Sequence, residues 1–192
     1  MSTVSIPAWT VDGVLPPLDV TNPTSANRSP YRVAVTDFVL HFGTSVERCV
    51  ILDGLFRYRA ALHAVGLVAG FQWVDGSFLE QVELLAGRAP RDVDVVTFYR
   101  LPAGETQASL LAKDPNLFDH GQVKATYNVD GYLMHLGAAA ERLVKGSTYW
   151  YSLWSHRRNQ AWKGYVEIDL APDDNHTART LLTTLPGAGG TP

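Results

Sequence analysis

Asp92 and Asp94 stand in the run Asp92-Val93-Asp94-Val95-Val96-Thr97-Phe98-Tyr99. In a strand, successive side chains face opposite sides, so the two carboxylates project together while Val93 and Val95 project the other way. Two such charges in an apolar element repel and raise each other's pKa, and a bound divalent cation removes that cost by neutralising both. Oxygen-only ligands favour Mg2+ or Mn2+. Mg2+ accepts one or two protein carboxylates and takes its remaining ligands from water and substrate phosphates. The pair therefore points to a metal site used in phosphoryl chemistry.

An isolated Asp-x-Asp pair is most often solvated charge at a strand edge. Here Val74-Asp75-Gly76-Ser77 precedes it and makes the metal reading specific. Gly76 permits a close backbone approach, the amides around it can hold a triphosphate, and the Ser77 hydroxyl can add a hydrogen bond. Asp75 reads as a turn-shaping residue and is left out of the metal set.

A hydrophobic residue, Gly76-Ser77, a loop and then Asp92-hydrophobic-Asp94-hydrophobic resembles the signature of the nucleotidyltransferases related to DNA polymerase beta. The likeness covers about residues 44–136 and is nearest to an uncharacterised bacterial branch of minimal nucleotidyltransferase type. It implies an α+β fold in which a short mixed sheet is backed by helices. It further implies NTP substrates such as ATP and two Mg2+ or Mn2+ ions between Asp92, Asp94 and a third carboxylate on a later strand. Asp130 is the best match for that ligand, with Glu167 or Asp169 in reserve. One metal would activate an attacking hydroxyl and the other would neutralise the leaving pyrophosphate. The acceptor stays open between RNA, a small molecule and a protein. Stand-alone members include partners of toxins that modify another protein, so a toxin-antitoxin role, or an inactive docking module on the same fold, stands as the alternative.

Arg88 and Arg91 either clamp phosphate or decorate the long loop from Phe78 to Arg91, which also carries Glu80 and Glu83. Acid beside a triphosphate is unfavourable. Residues 149–163 interleave Tyr149, Trp150, Tyr151, Trp154 and Trp162 with His156, Arg157, Arg158 and Lys163. Aromatic faces among cations suit a nucleotide or a single strand, whereas core packing is the rival role for the tryptophans. Arg157, Arg158 and Lys163 are thus phosphate candidates. The six histidines show no metal-ligand spacing, and there is no Walker-type phosphate loop, serine elbow or zinc helix.

These residues must be positioned by surrounding elements. Up to about Arg32 the chain is dense in Pro, Ser, Thr and Asn and reads as an extended arm. Thr44 to Glu47 has the form of a capping box, and Ile51, Leu55, Tyr58, Leu62 and Val65 recur at helical spacing up to Gly66. Residues 71–75 read as a strand, 78–86 as a short helix, 92–99 as a strand and 105–113 as a helix. Residues 123–136 read as extended, with Asp130 near the middle. Residues 138–145 read as a helix closed by Gly146, 164–170 as a strand, 173–185 as a helix, and 186–192 as a fraying tail.

One domain of 192 residues with 46% hydrophobic and 18% charged side chains can bury a sizeable core without disulfides. The lone Cys49 reads as core and fits a reducing compartment. No apolar run approaches the roughly 18 to 20 residues of a membrane span, so a soluble, cytoplasmic protein without membrane partners is expected. The net charge of -3 argues against broad duplex DNA binding.

Overall fold

The computed structural model describes residues 3–185; the expected fraying tail, 186–192, lies outside the described residues. The fold is α+β. Five strands, β1 (Tyr31–Val33), β2 (Gly70–Asp75), β3 (Val93–Tyr99), β4 (Val129–His135) and β5 (Val166–Asp169), form one mixed sheet in the order β1-β5-β2-β3-β4. β2 runs antiparallel to both β5 and β3, while β1 with β5 and β3 with β4 are parallel. β3 lies inside the sheet, with Val93, Val95, Val96, Thr97, Phe98 and Tyr99 all buried, as a strand covered on both faces requires.

Around the sheet lie α1 (Val35–Phe42), α2 (Val46–Ala64), α3 (Val82–Ala86), α4 (Gln107–Lys113), α5 (His120–Tyr127), α6 (Ala140–Trp154) and α7 (Asn175–Thr184). No helix among the described residues is long and apolar enough to cross a membrane. α2 packs on the sheet face that carries Gln72 and Gly131. Its spaced residues Ile51, Leu55, Tyr58 and Leu62 are all buried, and its Arg59 guanidinium donates to Gln72 Oε1 at 2.5 Å and to the Asp169 carbonyl at 2.9 Å. Burial holds that guanidinium down to about 10. Gly54 of α2 admits the Tyr127 carbonyl at the end of α5, where a methyl group would collide. α5 is thereby fixed beside β4. α6 crosses the opposite face, with Trp150 against Tyr132 and Trp154 against Tyr165.

Several local expectations need correction. The helix cap is Ser45, whose side chain accepts from the Arg48 amide, one residue later than the Thr44 box. Residues 78–86 split into a 3-10 turn, Ser77–Leu79, and α3. Residues 123–127 are helical: Val123 faces the core from α5, and Asn128 closes the helix in the left-handed region at φ 55° before β4 begins. α6 does not stop at Gly146. It runs on to Trp154, with Gly146 inside it against the end of the Met134 side chain.

Candidate active site

Register turns the separate aspartates into a row. Asp75 is paired with Asp94 across the antiparallel β2–β3 ladder, and Asp94 is paired with Asp130 across the parallel β3–β4 ladder. Residues directly opposite in a ladder share a face, so Asp75, Asp94 and Asp130 form a line of carboxylates across three strands. Asp92 lies just before β3, two residues from Asp94, and joins that face. Glu167 and Asp169, the reserve ligands, lie farther along the sheet, where Arg32 pairs with both. They are not part of the site.

The row carries a large electrostatic load. Burial, followed by the charges of Asp75, Asp130 and Asp92, pushes the Asp94 carboxyl up to about 7. Asp75 is buried, which raises it to about 6 despite the adjacent Lys163 ammonium. Gly76 sits against Asp94. Its φ of +90° disfavours any side chain, and a Cβ there would lie 2.6 Å from Asp94 Oδ2. Only glycine lets this turn approach the carboxylate so closely.

Two lysines offset the charge. Lys124 of α5 reaches Asp92 Oδ2 at 2.8 Å and Asp130 Oδ2 at 2.7 Å, so one ammonium bridges two of the expected metal ligands. These carboxylates hold Lys124 above the usual lysine range. The other oxygen of Asp130, Oδ1, is buried without a hydrogen bond; His120 Nε2 lies 3.2 Å away, out of line. Lys163 is buried beneath the row, 2.9 Å from Asp75 and 3.1 Å from Glu80. Burial opposes its charge, but Asp75 and Glu80 together keep its pKa raised.

The acidic loop is neutralised from within. Arg48 of α2 is buried and forks onto Glu83, with Nε to Oε1 at 2.6 Å and Nη2 to Oε2 at 2.9 Å. It also donates to the carbonyls of Phe78 and Glu80, both at 2.6 Å. Glu80 is shared by Lys163 and by Arg157 Nε at 2.8 Å. Neither acid therefore repels an anion at the turn.

Asp75, Gly76, Ser77, Asp92, Asp94 and Asp130 open into a cleft of about 840 Å³. Arg88, Arg91, Arg157 and Arg158 stand around it, with Lys124 and Lys163 lower down. Arg88, Arg91 and Arg158 are exposed and free to meet an incoming anion. Lys163 lines the cleft too, but it is buried and paired with Asp75 and Glu80. Sequence reasoning also missed Asp75, set aside as a turn residue, and Lys124, hidden in a stretch read as extended. The register revealed the first, and the helix the second.

Among the described residues, no group of three or more His, Cys, Asp or Glu side chains is gathered tightly enough to hold a metal ion outright. The donors nonetheless fit a hard divalent cation in kind. All are carboxylate oxygens, two already converge on one positive charge, and Asp130 keeps a buried oxygen without a hydrogen bond.

The family described as "Family of unknown function (DUF6932)" matches residues 7–169 of the chain. No curated protein and no solved structure matches it.

Proposed function

The chain belongs to DUF6932, a family whose function is unknown, and from the cleft we propose a nucleotidyltransferase with a polymerase-beta-like core. It moves a nucleoside monophosphate from an NTP to an acceptor hydroxyl. The observation that carries this reading is the juxtaposition of the Gly76 turn with the row Asp75, Asp94 and Asp130. An anion-holding bend touches a set of oxygen ligands whose charge calls for a cation. Asp92, Asp94 and Asp130 would hold Mg2+ or Mn2+. When bound, the metal lowers the pKa of the attacking hydroxyl and neutralises charge on the leaving pyrophosphate.

The protein's own groups supply positioning. Ser77 and the amides of the turn hold the phosphates, and Arg88, Arg91 and Arg158 receive the outer negative charge. The acceptor oxygen forms a bond to the α-phosphorus, the bond from that phosphorus to pyrophosphate breaks, and the hydroxyl proton passes through Asp130 to solvent. Label transfer tests the reading. Incubation with α-labelled NTPs, Mn2+ or Mg2+ and cell lysate should label an acceptor, and the combined Asp92→Asn and Asp94→Asn variant should not. Absence of label, or label undiminished in that variant, rejects the enzyme.

Lys124 must leave before a cation enters between Asp92 and Asp130. Lys124→Met removes the competing ammonium. Two exposed ion pairs are together worth about 1 kcal/mol, so Mn2+ should bind the variant roughly fivefold more tightly by calorimetry. Unchanged or weaker binding would show that the ammonium and the ion do not compete for the same oxygens.

The same bridge favours a second reading, a docking module that keeps the fold without turnover, since a lysine fills the space between two ligands. Calorimetry separates the two. Divalent-dependent NTP binding belongs to the enzyme, whereas a folded protein indifferent to both ligands belongs to the docking module.

A further inference from the structure

The cleft does not end at the carboxylates. A second groove of about 570 Å³ continues from it along α6 and shares Leu153, His156, Arg157 and Arg158 with it. Beyond these, its lining adds Lys145, Thr148, Tyr149 and Ser152, and it contains no carboxylate. This contrasts with a chain of net charge -3. Lys145 and Arg158 are exposed and make no salt bridge among the described residues, and Arg157 engages Glu80 through Nε. Tyr149 and Leu153 are more than half exposed, as is Trp162, which lies against His156.

We infer that this groove holds a single-stranded polynucleotide as the acceptor, with its terminal hydroxyl entering the cleft beside Asp130. The inference rests on the nucleotidyltransferase reading and names the acceptor for that site. Lys145 and Leu153 are eight residues apart on one helix, so the groove runs for ~12 Å along it before reaching His156, Arg157 and Arg158. That length suits a short run of backbone phosphates rather than one compact molecule. Lys145 at one end and Arg157 and Arg158 at the other flank the exposed Tyr149 ring, with Trp162 against His156 beside the groove, a combination that tracks phosphates while offering faces on which bases stack. A duplex hides those faces, and an acidic peptide has no use for them.

The test is fluorescence anisotropy without NTP or metal, using fluorescein-labelled 12-mers of mixed-sequence RNA and DNA, the corresponding duplex, and an oligoglutamate. One or both single strands should bind. Affinity should fall roughly twentyfold between 50 and 200 mM NaCl if about three phosphates are neutralised. The pair Lys145→Glu with Arg158→Glu should weaken binding at least about tenfold, and the pair Lys145→Gln with Arg158→Gln should weaken it less. Both positions are exposed, so melting temperatures should match the parent and a loss of binding reports the groove. The inference is overturned if neither strand binds in a salt-sensitive way, if duplex or oligoglutamate binds as well, or if charge reversal changes nothing. These arms contain no reacting components, so their failure is distinct from a failure of label transfer.

Discussion

Asp94→Asn should cut nucleotidyl transfer sharply and at the same time make the metal-free protein more stable at pH 8. Both effects come from one cause. The folded carboxyl titrates near 7 against an ordinary 3.8, so between those values the folded state binds more protons than the unfolded state. Stability then falls as pH rises through that window, and the deficit is complete above about pH 7. The gap corresponds to ~4 kcal/mol if water is wholly excluded. Partial solvent access to Asp94 brings this to on the order of 2 kcal/mol, a gain of roughly 4 to 8 °C in melting temperature for a chain of this length. At pH 4 the substitution should change little, because the folded parent is already protonated there. Transfer should fall by a factor on the order of a thousand, as expected when a group that holds transition-state charge is lost. Melting curves from pH 4 to 8, set beside the labelling assay, read both. A gain over the parent that is no larger at pH 8 than at pH 4 would remove the buried, like-charged setting of Asp94 as the source of the strain.

Arg48→Met should destabilise the fold by about 3 kcal/mol, near the lower end for breaking a buried ion pair, because Glu83 keeps some solvent access. The methionine matches the aliphatic stem but leaves the Phe78 and Glu80 carbonyls and the Glu83 carboxylate without their donor. The turn after Ser77 then loses the anchor that ties it to α2. Urea unfolding gives the magnitude, and a loss below about 1 kcal/mol would mean that the carbonyls find water readily. On the proposed function, transfer by the folded variant should drop as well, since the Gly76–Ser77 turn is no longer fixed from below.

The candidate site of this chain is more legible in its sequence than the geometry that supports it. Asp92, Asp94, Gly76 and Ser77 are visible because a strand forces alternation and a tight turn demands glycine, both local rules. The α2 periodicity is legible for the same reason. Asp75 is invisible as a member of the site because only the β2–β3 register sets it opposite Asp94. Residues 123–127 mislead because valine, threonine and tyrosine favour strands, whereas burial of Val123 and the left-handed Asn128 make them a helix. Gly146 reads as a helix end, yet it lies inside α6 against the Met134 side chain. Glu80 and Glu83 look hostile to a phosphate until Arg48, Lys163 and Arg157, distant in sequence, arrive to neutralise them. Long-range partners of this kind leave no local trace.

The ammonium lodged between Asp92 and Asp130 also bears on how the chain folds. Small metalloproteins that lean on an ion for their structure stay unfolded until it arrives. Here a lysine of the same chain supplies the positive charge between the two carboxylates, so the arrangement of this corner of the sheet does not wait on an ion from outside.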